Sequence, residues 1–77
     1  MEIKILGTGC ANCKNLEKDA RMAVEELHLN ATVVKEEDIT KIMSYGIMRT
    51  PAMVVDEKVL FYGRVPSVSE IKEMLTR

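Results

Sequence analysis

Apolar residues alternate with polar ones at the start of the chain. Ile3 and Ile5 share one face of an extended segment, and Leu6 adds an apolar side chain on the other. This predicts a strand over Glu2 to Leu6, broken by Gly7-Thr8-Gly9. The period then changes. Leu16, Ala20, Ala23, Val24 and Leu27 fall on one face of an α-helix, which predicts a helix from near Cys10 to about Leu29. Glu17 and Arg21 lie one turn apart on its solvent side, and Asn30 is expected to stop it in the left-handed conformation. Thr32 to Glu36 is short and β-branched and reads as a second strand. Asp38 is placed to cap a second helix, with Ile39, Ile42 and Met43 on its buried face and Gly46 at its end. Ile47 to Thr50 reads as a connection. Ala52 to Val55 and Val59 to Tyr62 read as a hairpin joined through Asp56-Glu57-Lys58, with Gly63 ending the second strand. Ser67-Val68-Ser69-Glu70 fits a capping box, and Val68, Ile71, Met74 and Leu75 form the stripe of a last helix. The order is β-α-β-α-β-β-α, an α/β pattern.

Length and charge narrow the function classes. The chain has 77 residues, room for one domain over 1–77. Hydrophobic residues make up 47%, which excludes wholesale disorder. Eleven Lys+Arg face twelve Asp+Glu without a basic stripe, and Tyr45, Phe61 and Tyr62 do not interleave with basic residues, so no nucleic-acid partner is expected. Apolar runs such as Ala52 to Val55 are far shorter than the roughly twenty residues of a membrane span. The N-terminus lacks a basic region followed by an apolar stretch. A cytoplasmic protein without a membrane partner, monomeric by default, is the expectation. His28 stands alone near a helix end and reads as surface; Met43, Met53 and Met74 read as core filling.

The chemistry lies in Cys10-Ala11-Asn12-Cys13. A disulfide closing so short a loop would contribute only about 2 kcal/mol as a staple. The pair is better placed to react. The motif follows a strand and opens a helix, where unpaired N–H groups and the positive end of the dipole favour a thiolate, so Cys10 is expected to have a lowered pKa. Cys13 lies one turn further on the same side, within reach to attack a mixed disulfide formed on Cys10.

The Cys10–Cys13 motif after the first strand, the β-α-β-α-β-β-α order, and Thr50-Pro51 before the third strand together resemble the thioredoxin/glutaredoxin superfamily, over essentially the whole chain. The size is similar to that of the small redox-active disulfide proteins of archaea and bacteria. The resemblance implies a thioredoxin-like fold, with a four-stranded mixed sheet of order 2-1-3-4 flanked by three helices. It implies that Cys10 is the nucleophile and Cys13 the resolving cysteine. It places the family's cis-proline at Pro51, with Thr50 offering backbone groups to a bound substrate chain. The implied activity is reduction of protein disulfides, with a disulfide reductase as the second partner and the Cys10–Cys13 disulfide itself in place of a cofactor. The departures are specific. Gly9 stands where thioredoxins have Trp, Ala11-Asn12 replace Gly-Pro, and Ile3 to Leu6 offer no buried acid. Gly7-Thr8-Gly9 and Gly63-Arg64 through Ser67 replace the glutathione-binding features of glutaredoxins, which argues against glutathione as the reductant.

The competing reading is a small copper carrier. Gly-Thr-Gly-Cys-Ala-Asn-Cys also resembles the metal loop of heavy-metal-associated domains, and soft thiolates suit copper(I). Those carriers run β-α-β-β-α-β and end on a strand. The helix signals after the second strand and at the end of this chain oppose that order, as does Thr8 in place of a Met before the first cysteine. No His or acidic residue is spaced to complete a zinc site, so no metal ligands are assigned.

Overall fold

The computed structural model describes residues 1–9 and 11–76. Seven elements follow in order: β1 Glu2–Leu6, α1 Ala11–Glu26, β2 Thr32–Glu36, α2 Ile39–Ser44, β3 Ala52–Val55, β4 Lys58–Tyr62 and α3 Val68–Leu75. The four strands form one sheet of order β2-β1-β3-β4. β1 runs parallel to β2, with Glu2 opposite Thr32, and antiparallel to β3, with Leu6 opposite Ala52. β3 and β4 are antiparallel. The fold class and strand order expected above are the ones observed.

The alternation in β1 divides two cores. Ile3 and Ile5 face α1 and α3, where Leu16, Ala20, Ala23, Met53, Phe61 and Ile71 are buried with them. Leu6 faces the other way and packs with Ile42, Ile47, Ala52 and Val54 under α2. The strand at the centre of the sheet is thus covered on both faces. Its end, where the chain turns into α1, is set by packing on each side.

Several boundaries differ from the sequence expectation. α1 stops at Glu26, not near Leu29, and the left-handed residue is His28 (φ 53°), not Asn30. The His28 N–H donates to the Glu25 carbonyl and the Leu29 N–H to that of Val24, the paired bonds of a Schellman ending. His28 is exposed, as expected. The hairpin turn holds two residues, not three. Asp56 and Glu57 both have positive φ (47° and 70°), as a type I′ turn requires, and Lys58 already pairs with Val55. Asp56 is anchored by β1, donating its N–H to the Glu2 carbonyl and accepting the Glu2 N–H on its side chain, both at 2.9 Å.

α2 buries Ile42 alone; Ile39 and Met43 are 60% and 65% exposed. With only six residues, the helix presents a single position to the sheet. Met53 is fully buried and Met74 packs on the core as expected, but Met43 does not. Asp38 does cap α2, accepting from the Thr40 N–H at 2.9 Å. The C-terminal end of α2 is latched to the sheet by Lys4. Its ammonium donates to the Tyr45 hydroxyl at 3.0 Å and to Glu57 at 2.9 Å. These bonds, Tyr45 first, hold the Lys4 ammonium above its ordinary range, and the Lys4 bond holds the Glu57 carboxyl below its own.

α3 begins with the expected capping box. Ser67 Oγ accepts from the Glu70 N–H at 3.2 Å, and Glu70 accepts from the Ser67 N–H at 3.2 Å. That backbone bond, followed by Arg64, holds the Glu70 carboxyl below its ordinary range. The charged form is the one favoured by folding, so its contribution is present at neutral pH and is lost as pH falls through the carboxylate range. Ser67→Ala should lower the unfolding free energy by about 1 kcal/mol at neutral pH. Urea melts of the two proteins would show it as a lower midpoint, and an unchanged midpoint would mean the cap is not formed in solution.

Candidate active site

β1 ends at Leu6 and α1 begins at Ala11, so the cysteine motif occupies a strand-to-helix junction. Gly9 turns the chain with φ 85°, a conformation open to glycine. Cys10 lies outside the described residues. Cys13, in the first turn of α1, is buried at 6% exposure. Its sulfur lies against the end of β1. A Cβ placed on Gly7 would overlap Cys13 Sγ outright and lie 3.0 Å from Cys13 Cβ. The same Cβ would lie 4.0 Å from Cβ of Thr50. Gly7 is itself buried, and its N–H donates to the Glu36 carbonyl at 3.0 Å.

Thr50 therefore lies close to Cys13 across Gly7, and Pro51 follows it in the chain. Thr50 is exposed, Pro51 is buried, and the peptide bond between them is cis. The Pro51 carbonyl accepts from the Gly63 N–H at 2.8 Å, which ties the start of β3 to the end of β4. Of the four residues singled out in the sequence, the structure brings Cys13 and Thr50 close to one glycine, Gly7, and Pro51 follows Thr50 in the chain. Gly7 itself was visible in the sequence only as a strand breaker. Nothing local distinguishes a glycine that ends a strand from one that seats a sulfur.

Two hollows flank this point. One, of about 160 Å³, is lined by Cys13, Ile5, Gly7, Lys14, Lys35 and Glu37. Lys35 is 4.0 Å from Glu37 and 3.9 Å from Glu17, so opposite charges meet at its rim. The other, of about 200 Å³, lies between Thr8, Thr50, Ile39, Met43, Met48 and Arg49. It is apolar and open, and Met48 is 93% exposed. A wider depression of about 510 Å³ around His28 and Arg21 sits at the far end of α1 and has no cysteine in its lining. Among the described residues, no cluster of three or more His, Cys, Asp or Glu could hold a metal ion. No helix among them is long and apolar enough to cross a membrane.

A family model described as "Thioredoxin domain" matches residues 1–76. The chain belongs to the thioredoxin family. It is 45% identical over 76 residues to a curated thioredoxin of Methanothermobacter thermautotrophicus, covering 99% of both chains. It is 41% identical over 73 residues to a thioredoxin of Methanocaldococcus jannaschii, covering 95% of this chain and 84% of that one. A probable thioredoxin of Archaeoglobus fulgidus is 31% identical over 71 residues. The activity that goes with this membership is thiol-disulfide oxidoreduction. The copper-carrier reading is set aside on topology: such a carrier runs β-α-β-β-α-β, and this thioredoxin-family chain has a helix, α2, between its second and third strands.

Proposed function

We propose that Cys10 and Cys13 form the redox couple of a single thioredoxin-like domain over 1–77, and that it reduces disulfides in protein substrates. The Cys10 thiolate attacks one sulfur of a substrate disulfide. A Cys10–substrate bond forms, and the other substrate sulfur leaves as a thiolate and takes a proton. Cys13 then gives up its proton and attacks Cys10 Sγ. The Cys10–Cys13 bond forms, the mixed disulfide breaks, and the second substrate sulfur leaves. The protein has lost two electrons and the substrate has gained them. A disulfide reductase returns the pair to the dithiol state, so the protein's own disulfide takes the place of a cofactor. Thr50 and Pro51 hold the substrate strand beside the motif. The setting is cytoplasmic and the working form monomeric.

The observation that carries this reading is the seat of Cys13, buried in the first turn of α1 and adjoining, through Gly7, the exposed Thr50. A buried sulfur packed against the end of β1 suits an internal nucleophile better than a first attacker. Cys10 should therefore alkylate before Cys13 under limiting iodoacetamide, at a pH below the free thiol value of about 8.5. Mass mapping of the labelled peptides would report the order. The same preparation should reduce a protein disulfide catalytically when coupled to a dithiol reductant. Labelling of Cys13 first would reverse the two roles, and copper(I) transfer without any disulfide reduction would restore the carrier reading.

A further inference from the structure

We propose that Gly7 is a positioning residue for the second step: the side chain it lacks is the space in which the Cys13 sulfur waits. The inference rests on the assignment of Cys13 as resolver and adds a residue to it.

The geometry is specific to this contact. A Cβ on Gly7 would overlap Cys13 Sγ and crowd Cys13 Cβ at 3.0 Å, while its contact with Thr50 Cβ at 4.0 Å would be ordinary. Gly7 is not among the residues with positive φ, so its backbone does not demand glycine; Gly9, Gly46 and Gly63 are the glycines of that kind. What excludes a side chain at Gly7 is the sulfur. Neither backbone can retreat easily. Gly7 is pinned to β2 by its hydrogen bond to Glu36, and β1 is buried on both faces. Cys13 is fixed by α1, whose next turn is anchored by the fully buried Leu16. The compliant element is the Cys13 side chain itself, which adjoins the hollow beneath Lys14 and Lys35. An alanine at position 7 would push the sulfur into that hollow, away from its resting place at the end of β1.

Such a shift alters one step and spares the other. Attack by Cys10 on a substrate makes no bond to Cys13. Resolution does, and displacing a reacting atom by about 1 Å can slow a step up to a hundredfold.

The test uses the reduced full-length protein and an aromatic disulfide that releases one coloured thiolate on attack and a second on resolution. Stopped-flow absorbance resolves the two releases. Gly7→Ala should leave the first rate within about twofold and slow the second by about tenfold to a hundredfold. Equal rates for both proteins, or equal slowing of both steps, would overturn the proposal. A second measurement covers the case of a variant that folds poorly. Gly7→Ala should lower the melting temperature less in a Cys13→Ala background than in wild type, because the sulfur it collides with is gone. An equal loss in both backgrounds would also overturn it. Failure of the underlying cysteine assignment looks different: with the roles reversed, Cys10→Ser rather than Cys13→Ser would give the single first release, and the Gly7 proposal would fall with it.

Discussion

Cys13→Ser should accumulate a covalent adduct with its substrate, and Cys10→Ser should not: this is the largest effect expected of any change in the chain. A serine hydroxyl at position 13 cannot resolve the mixed disulfide. The reaction halts after the first bond exchange, with the substrate attached through Cys10. Proximity is what makes the second step fast, since a well-placed internal group acts at effective concentrations of roughly 10⁵ M or more. Without it only external thiols remain, and turnover should fall to below about one-hundredth of wild type. Non-reducing gels and intact mass would show the adduct, which should vanish with dithiothreitol. Cys10→Ser should give neither adduct nor turnover, because the remaining Cys13 is only 6% exposed. The asymmetry is informative. A two-thiolate metal site would lose function about equally from either change. Trapping by both variants, or by neither, would contradict the assigned roles. Adducts captured from cell extract on Cys13→Ser would also name the substrates.

Leu16→Ala has the largest effect expected on stability. Leu16 lies one turn beyond Cys13, is fully buried, and packs in the core that Ile3, Ile5 and Ile71 share. Removing three carbons there leaves a cavity between α1 and the sheet, at about 2–5 kcal/mol. A chain of 77 residues has a total stability of about 4–12 kcal/mol, so the change removes a large part of it. The urea midpoint should fall steeply with an unchanged slope. Met48→Ala, at a residue 93% exposed, should cost less than about 0.5 kcal/mol in the same assay. Should the two variants melt alike, α1 would not be seated on the sheet as described. The comparison bears on the site as well, because the helix that Leu16 anchors is the one that carries Cys13.

Much of this architecture was legible in the chain because the signals are local. Periodicity of two in Ile3 and Ile5, and of 3.6 from Leu16 to Leu27, reports which backbone geometry can gather apolar side chains on one side. The order of seven elements, the capping box at Ser67 and the strand-to-helix setting of the cysteines follow from such patterns. So does the separation of Leu6 from Ile3 and Ile5, which became the two faces of the sheet. The resemblance carried by the cysteines and Thr50-Pro51 added the strand order and the cis bond at Pro51.

What the sequence by itself determined, then, was the kind and order of elements and the place of the cysteine motif at the junction of β1 and α1. Tertiary structure decided what depends on neighbours distant in the chain. Asp56 takes positive φ without being glycine because Glu2 of β1, far away in the chain, bonds it there. Ile39 and Met43 look as apolar as Ile42, yet only Ile42 is buried, because a helix of six residues meets the sheet along one line. The site follows the same rule. Gly7, Cys13 and Thr50 lie on three different segments, and only the antiparallel pairing of β1 with β3 and the docking of α1 bring them together. A missing side chain has no periodicity and no charge. Its purpose becomes visible only when the sulfur that fills its place is seen.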